Sequence, residues 1–246
     1  RDALIEKYGR IYQLPYHWSK KENIDIKLWL IDYHSLENVI TKDEGLEIIS
    51  TPVKNGSILK QYFKENYKKE KYDVVVASGD CYIGLLGYKL AKTHKAKFVF
   101  DVYDKYDEFG AYFNLFWFNS YEFLLKNSDV CLFASAALAN SLKNSVKQSI
   151  IAPNGIDTSM FKPLDKRACC KQLGLESDNI YIGYFGSLDQ ERGSDDLITA
   201  HQTLLKQGYN YHLLIGGKKR PNLNLSGKNL TYLGNMSYAQ VPVAMG

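Results

Sequence analysis

The sequence is poor in the residues that bind metals or form disulfides. Its 246 residues include only 4 cysteines and 5 histidines. The cysteines form no CxxC motif, and no two histidines stand at metal-ligand spacing. These residues are Cys81, Cys131, Cys169, Cys170, His17, His34, His94, His201 and His212. The sequence also lacks a GxSxG motif and a Ser/His/Asp arrangement typical of a catalytic triad. These absences argue against a metal site and a disulfide framework, and they favour reduced thiols in the cytoplasm.

Long apolar runs and an excess of one charge are missing as well. No stretch of 18 apolar residues occurs, which predicts no transmembrane helix, and the chain does not open with a signal-peptide pattern. The net charge is only +4, because 31 Lys and Arg residues are nearly balanced by 27 Asp and Glu residues. The basic runs at residues 68–69 and 218–220 are short and typical of a solvated face. We therefore expect no nucleic-acid partner, although anionic ligands are permitted.

What the sequence does contain is an alternation of strands and helices. Residues 73–78 form a β-branched run bounded by polar residues, which is typical of a buried parallel strand. Helical patterns of ten or more residues separate such runs, which predicts an α/β fold of parallel sheets flanked by helices. The predicted strands are residues 24–31, 46–49, 73–78, 97–102, 129–135, 149–152, 180–186, 211–217 and 229–233. The predicted helices are residues 1–22, 57–69, 83–93, 107–126, 136–143 and 165–173, with further helices beginning at 195 and 238.

Residues 152–163 (APNGIDTSMFKP) mark the boundary between two halves of this pattern. Pro153 cannot donate to a β-ladder, and Asn154-Gly155 is a turn dipeptide that tolerates positive φ. We predict two Rossmann-like domains, residues 1–160 and residues 161–246. Because ligands of open parallel sheets bind at such a crevice, Asn154 and Gly155 are candidate binding residues.

Both ends of the sequence interrupt the pattern. The chain begins in a helix, whereas an α/β domain normally begins with a strand whose following loop lines the ligand site. The last residues, 241–246, stop within a motif. We therefore expect the sequence to belong to a longer chain that continues at both ends, so that the second domain is incomplete here.

The carboxyl ends of the predicted strands carry glycine, serine and short acidic residues. Gly186 and Ser187 end one strand, and Arg192 precedes the next helix, so backbone N–H groups and a guanidinium could together hold an anion. Gly216, Gly217 and Lys218 end the neighbouring strand. The alternative is an ordinary strand-to-helix loop with a surface arginine.

Asp101 and Asp104 stand at the end of another predicted strand. Their carboxylates could act as a base, orient a sugar hydroxyl, or cap the next helix. The following segment, residues 112–118 (YFNLFWF), is apolar on nearly every side. It predicts a buried helix or, alternatively, a surface for a lipid-linked acceptor or for peripheral contact with a membrane.

Four segments resemble family 4 glycosyltransferases, which have the GT-B fold of two Rossmann-like domains. Residues 152–163 resemble the junction motif of that family, and residues 181–200 resemble its donor-phosphate loop. Residues 213–217 and 233–242 resemble the two segments that follow it. The resemblance is specific in the second half of the chain and architectural in the first half.

The resemblance implies a metal-independent enzyme without a cofactor, which transfers a sugar from a UDP- or GDP-linked donor with retention. The acceptor would be a saccharide or a lipid-linked molecule, at the inner face of a membrane or in the cytoplasm. Gly186, Ser187 and Arg192 would hold the donor diphosphate, and Asp101 or Asp104 would face the acceptor. The family often has Arg where this chain has Ser187, and Lys where it has Arg192. Its later Glu-x7-Glu motif does not occur in this sequence.

Two other functions remain open at this stage. A sugar-nucleotide epimerase can share the fold, although its acid and base residues cannot be assigned here. A non-catalytic fragment that binds a nucleotide or a partner chain would also explain the missing carboxylates. The abundance of Lys, Asn, Ile and Tyr is typical of an AT-rich, bacterial genome, in which polysaccharide biosynthesis is a common role for such enzymes.

Overall fold

The computed structural model describes residues 2–106 and 118–246. They form two compact units, residues 1–155 and residues 156–246. The division between the units falls inside the segment 152–163 that the sequence marks as a boundary, five residues before the predicted limit at residue 160. Each unit contains open sheets with helices packed on them, so the predicted α/β architecture is confirmed.

The first sheet of unit 1 has three strands in the order β1-β3-β2. Strands β1 (Lys27–Asp32) and β3 (Leu46–Pro52) are parallel, whereas β2 (Val39–Asp43) runs antiparallel to β3. The loop that joins β2 to β3 consists of Glu44 and Gly45, both at positive φ (44° and 101°), as a two-residue hairpin of type I′ requires. The prediction of only parallel strands therefore misses one antiparallel hairpin.

Helix α1 (Arg10–Ser19) packs on this sheet through Tyr12, which is 2% exposed. The sequence predicts one helix from residue 1 to about residue 22, but the structure has a short π-helical turn, Asp2–Glu6, before α1. Lys7 and Gly9 separate the two segments, because their φ values of 52° and 80° are incompatible with a right-handed helix.

The second sheet of unit 1 is entirely parallel, in the order β4-β5-β6-β7. Its strands are β4 (Val74–Ser78), β5 (Lys97–Val102), β6 (Val130–Phe133) and β7 (Ser149–Ile151). The helices of this part are α2 (Ser57–Asn66), α3 (Cys81–His94), α4 (Ser120–Asn127) and α5 (Ala136–Leu142). Gly87 lets α3 approach β4, since a Cβ there would lie 2.8 Å from the Cβ of Ala77. Phe98, Phe100 and Phe133 fill the core beneath the helices.

Unit 2 is a parallel sheet in the order β10-β9-β8. Its strands are β8 (Ile180–Phe185), β9 (Tyr211–Gly216) and β10 (Leu230–Tyr232), and its helices are α6 (Lys166–Leu173), α7 (Ser194–Lys206) and α8 (Val241–Met245). Leu188, Leu213 and Ile215 form the centre of its core. Ser237 and Gln240 form a capping box at the start of the last helical segment.

The apolar segment 112–118 lies outside the described residues except for Phe118. Its burial or membrane contact therefore stays a prediction. Among residues 2–106 and 118–246, no helix is both long and apolar enough to cross a membrane. In the same residues, no group of three or more His, Cys, Asp or Glu side chains could hold a metal ion. The four cysteines are buried.

Candidate functional site

The buried end of the parallel sheet in unit 1 is organised by Asp101, at the carboxyl end of β5. Arg10, the first residue of α1, donates from Nε to both carboxylate oxygens at 2.9 Å and from one terminal nitrogen to Oδ1 at 2.6 Å. Ser78, the register partner of Asp101 in β4, donates its hydroxyl at 2.6 Å. The side chains of Arg10 and Asp101 are only 5% and 2% exposed. Both oxygens of Asp101 are therefore occupied within the protein.

Arg10 also reaches the end of the chain segment that leaves unit 1. Its other terminal nitrogen donates to the carbonyl oxygen of Ala152 and lies 3.4 Å from Oδ1 of Asn154. The start of α1, the carboxyl end of β5 and the predicted turn at Asn154 are thus joined by one guanidinium. Gly155, the second residue of the turn dipeptide, is exposed, and a Cβ there would meet no atom within 4 Å.

Asp104 differs from Asp101 because its carboxylate is exposed. Its Oδ1 accepts the backbone N–H of Lys105 at 2.9 Å, so the carboxylate lies in the loop that follows β5. In the loop that follows β1, the hydroxyl of Tyr33 donates to Oδ2 of Asp80 at 3.4 Å. Burial and the negative charge of Asp80 raise the pKa of Tyr33 above its ordinary value. Asp80 itself caps α3 by accepting the N–H groups of Tyr82 and Ile83.

In unit 2 the carboxyl ends of β8 and β9 approach each other through glycines. The N–H of Gly186 donates to the carbonyl of Gly216 at 3.0 Å, and the N–H of Gly217 donates to the carbonyl of Gly234 at 2.8 Å. A Cβ at Gly217 would lie 2.8 Å from the carbonyl carbon of Gly186 and closer still to its oxygen. Since Gly217 also has a φ of 133°, only glycine fits at this crossing.

Asp189 shapes the loop between β8 and α7. Its Oδ1 accepts the N–H of Arg192 at 3.0 Å, and its backbone carbonyl accepts the N–H of Ser194 at 3.3 Å. Its Oδ2 lies 3.2 Å from Nε of Arg192, whose side chain is 63% exposed. Ser187 is exposed at the other end of the loop, where its carbonyl accepts the hydroxyl of Tyr184. The predicted loop residues therefore present one cation and one hydroxyl at this edge.

A second loop, residues 217–220, is bonded to the first. The N–H of Leu188 donates to the carbonyl of Lys218 at 2.9 Å, and the N–H of Arg220 donates to the carbonyl of Leu188 at 3.2 Å. The side chains of Lys218 and Lys219 are exposed, and the ammonium of Lys219 lies 5.7 Å from the centre of the Tyr232 ring. Arg220 instead turns towards α7 and donates to Oδ1 of Asp195 at 2.5 Å.

The structure thus brings together the predicted residues of unit 2, namely Gly186, Ser187, Arg192, Gly216, Gly217 and Lys218. In unit 1 it joins Asp101 to Asn154 through Arg10 and leaves Asp104 in a separate loop. Sequence reasoning missed both arginines that organise these edges. Arg10 stands in a segment with only a helical pattern, and Arg220 belongs to a basic run interpreted as a solvated face.

Comparison with known proteins agrees with this architecture. No protein-family profile matches the chain. The chain is similar to HepE from Anabaena in complex with UDP-glucose, with a TM-score of 0.56 and 14% identity over 80% of this chain and 57% of that one. It is also similar to the trehalose-6-phosphate synthase from E. coli bound with UDP-2-fluoro glucose, with a TM-score of 0.55 and 12% identity over 88% of this chain and 68% of that one.

The chain has the GT-B fold. The same two structures carry this assignment, because they match 80% and 88% of this chain at TM-scores of 0.56 and 0.55. In sequence, a stretch of 90 residues is 29% identical to D-inositol 3-phosphate glycosyltransferase from Segniliparus rotundus. That stretch is 37% of this chain and 19% of the relative, and the chain spans little more than half the length of HepE. The predicted GT-B fold is confirmed.

Proposed function

We propose that this GT-B chain belongs to a glycosyltransferase that moves a sugar from a UDP- or GDP-linked donor to a saccharide or lipid-linked acceptor. The reaction proceeds with retention and needs neither a metal nor a cofactor. The enzyme works in the cytoplasm, where reduced thiols such as the four buried cysteines persist, and can contact the inner face of a membrane. UDP and UDP-sugars in the structures of HepE and the trehalose-6-phosphate synthase support a nucleotide-sugar donor.

The observation that carries the proposal is the meeting of two loops at the carboxyl edge of β8 and β9. Ligands of open parallel sheets bind at this edge. Gly186 and Gly217 bring no side chain to the crossing of the two loops, and α7 begins at the end of the first loop. Helix α7 has a glycine at its N-cap and no side-chain capping bond. The N–H of Ser194 donates to Asp189, so the N–H groups of Asp195 and Asp196 are the ones that can receive an anion.

The charges of this edge suit a diphosphate that is bound without a metal ion. Arg192 is 63% exposed, and Lys218 projects from the adjoining loop. The hydroxyl of Ser187 can donate a hydrogen bond where the family more often supplies a guanidinium. Cations and a helix N-terminus that are fixed before the reaction stabilise the charge that develops on the leaving diphosphate.

On the acceptor side we propose separate roles for the two candidate carboxylates. Asp101 anchors Arg10, because each of its oxygens already accepts hydrogen bonds from side chains of unit 1. Asp104 faces the acceptor, because its carboxylate is exposed at the end of β5. A group that takes a proton from an acceptor hydroxyl has to be within hydrogen-bond reach of it, which only the exposed carboxylate permits.

Calorimetric titration of the intact protein with UDP, GDP, UDP-glucose and GDP-mannose tests the donor part of the proposal. Binding of a nucleotide is expected to persist in EDTA, and the Arg192→Ala variant is expected to bind it at least tenfold more weakly. Lys171→Ala, an exposed change on α6, is the matched control. Absence of binding to every nucleotide would refute a transferase. For retention, the anomeric configuration of the product formed by the intact protein is read by NMR.

A further inference from the structure

The loop that carries Arg220 is fixed beside the residue that follows Ser187. Leu188, 1% exposed, exchanges backbone hydrogen bonds with Lys218 and Arg220 and forms a parallel bridge with Lys219. Because both the N–H and the carbonyl of Leu188 are hydrogen-bonded to this loop, the backbone of Arg220 has one defined position relative to Ser187. A side chain that begins at Arg220 therefore enters the same edge of the sheet as a side chain at position 187.

The guanidinium of Arg220 lies against the first turn of α7. One terminal nitrogen donates to Oδ1 of Asp195 at 2.5 Å, and the side chain is 32% exposed. Its Nε is buried and has no hydrogen-bond partner among the described residues. A guanidinium offers five N–H donors in a planar fork, so the ion pair with Asp195 leaves most of them available.

A second polar atom without a partner lies in the same turn. Ser194, the first residue of α7, is 2% exposed, and its Oγ has no hydrogen-bond partner among the described residues. A buried hydroxyl without a hydrogen-bond partner is destabilising, because it has lost its bonds to water without replacement. Two such groups on adjacent structural elements, at a helix N-terminus that lacks a side-chain cap, indicate a place where an anionic ligand completes the bonding.

Ser187 contributes no charge to this edge, and each of the two arginines forms an ion pair, Arg192 with Asp189 and Arg220 with Asp195. A nucleoside diphosphate carries more than one negative charge, and planar guanidinium groups bind phosphate oxygens through two parallel hydrogen bonds. Arg220 is the arginine whose position beside Leu188 suits this task, whereas the exposed side chains of Lys218 and Lys219 offer only flexible point charges.

We propose that Arg220 binds the diphosphate of the nucleotide-sugar donor and supplies the cation that Ser187 lacks. Asp195 positions its guanidinium, and the hydroxyl of Ser194 donates to the same anion. The inference rests on the proposed function, since it assigns a further binding residue to the proposed donor site. In this proposal Arg220 recognises the phosphate groups of the donor and not its base.

The test compares UDP with uridine, which has the same base and ribose but no phosphate. Affinities are measured by calorimetry for UDP and by ligand-observed NMR for uridine, with GDP and guanosine in their place if the wild type prefers guanine. Arg220→Ala is expected to weaken UDP at least tenfold and to leave uridine within twofold. Arg167→Ala, an exposed arginine on α6, is the control and leaves both unchanged.

A rescue variant separates a lost cation from a damaged loop. Adding Ser187→Arg to Arg220→Ala returns a guanidinium to the same edge, and we expect it to recover most of the affinity for UDP. If Arg220→Ala does not fold, as judged by circular dichroism, Arg220→Gln takes its place, because it keeps most of the length and loses the charge. The same comparison of UDP with uridine then applies.

The possible results fall into distinct groups. An intact wild-type protein that binds neither UDP nor GDP overturns the proposed function. A wild type that binds UDP with an Arg220→Ala variant that binds it equally well overturns the inference alone. Equal losses for UDP and uridine would show that Arg220 only holds the loop in place, which also overturns the inference. A selective loss for UDP with recovery by Ser187→Arg supports it.

Discussion

Arg10 and Asp101, separated by 91 positions in the sequence, form a buried ion pair at the carboxyl end of β5. The pair ties the start of α1 to the parallel sheet, and Ser78 and the carbonyl of Ala152 complete its hydrogen bonds. Because both side chains are almost fully withdrawn from water, the pair stabilises unit 1 only while both partners are present.

Removal of either partner should therefore be costly. Arg10→Ala leaves a buried carboxylate without its cation, and we expect the free energy of unfolding to fall by about 3–5 kcal/mol. The double variant Arg10→Met with Asp101→Leu removes both charges and is expected to be more stable than Arg10→Ala. Urea denaturation followed by circular dichroism measures these differences.

An exposed ion pair in the same unit provides the control. On α4, Nζ of Lys126 lies 2.5 Å from Oε1 of Glu122, and the side chains of Glu122 and Lys126 are 50% and 59% exposed. Lys126→Ala should cost no more than about 0.5 kcal/mol, because solvent screens such pairs. Similar losses for Arg10→Ala and Lys126→Ala would contradict the structural role of the buried pair.

The close crossing of the two glycine loops in unit 2 predicts a strong effect of one methyl group. Gly217→Ala forces the Cβ into the carbonyl group of Gly186 and places alanine at a φ of 133°. We expect a loss of more than about 2 kcal/mol in stability. The carboxyl ends of β8 and β9 should move apart, so that nucleotide affinity falls as well.

Gly227→Ala is the comparison for this variant, since an added Cβ meets no atom within 4 Å and the residue is exposed. It should change stability by no more than about 0.5 kcal/mol. Thermal unfolding and nucleotide titration of both variants make the test. A Gly217→Ala chain with wild-type stability would show that the loops are not in contact.

The hydrogen bond of Asp129 predicts that the stability of the fold depends on pH in the acidic range. Its Oδ2 accepts the N–H of Phe98 at 2.8 Å, and this bond, together with nearby Lys97, lowers the pKa of the carboxyl below its ordinary value of 3.8. A lowered pKa in the folded state stabilises the fold above pH 3.8, and this contribution is lost as the pH falls through the folded-state pKa. Asp129→Asn should be less stable than the wild type at pH 6, and the difference should shrink towards pH 3.

Denaturation at a series of pH values measures this difference. Asp25→Asn is the control, because Asp25 is exposed and no hydrogen bond or ion pair is recorded for it among the described residues. A difference between wild type and Asp129→Asn that stays constant from pH 6 to pH 3 would mean that the charge of Asp129 does not contribute.

The burial of Cys131 predicts that the stability of the fold falls as the pH rises in the alkaline range, whereas the contribution of Asp129 is lost as the pH falls. Burial raises the pKa of its thiol from 9.0 to about 11. A raised pKa favours the neutral thiol in the fold, so its contribution, on the order of 2 kcal/mol, is present below pH 9 and lost as the pH rises towards 11. Cys131→Ala should show a smaller loss of stability over this interval than the wild type.

The same thiol should be inert in the native chain. Cys131 is 1% exposed, and the thiolate that reacts with disulfide reagents is scarce at pH 8 when the pKa is about 11. Ellman's reagent should modify Cys131 only after denaturant is added, as peptide mapping can show. Rapid modification of Cys131 in the native chain would contradict its burial.

The strands of both parallel sheets could be predicted because their apolar runs end in polar residues or glycine. Strand β2 escaped prediction for a physical reason. Four of its five residues are exposed at the edge of a sheet, so no alternation of apolar and polar positions marks it. Its hairpin turn uses Glu44 at positive φ, whereas asparagine or aspartate is the usual signal.

The candidate site shows a different limit of sequence reasoning. Gly186 and Gly217 could be assigned to strand ends because glycine after an apolar run has few other interpretations. The partner of a charged residue is set by distant packing, so nothing near Arg10 indicates Asp101. Within the run 218–220, the two lysines are exposed as expected, but only the structure separates them from Arg220, which turns to Asp195.

The guanidinium of Arg10 has a mechanical consequence for the segment that leaves unit 1. It holds the carbonyl of Ala152 and reaches Asn154, while the carbonyl of Asp157 accepts the N–H groups of Met160 and Phe161 at the start of unit 2. Between these anchors stand Gly155 and Ile156, the latter 66% exposed. Among the described residues, Gly155 and Ile156 thus form a two-residue stretch without backbone hydrogen bonds between the segment that Arg10 holds and the first turn of unit 2.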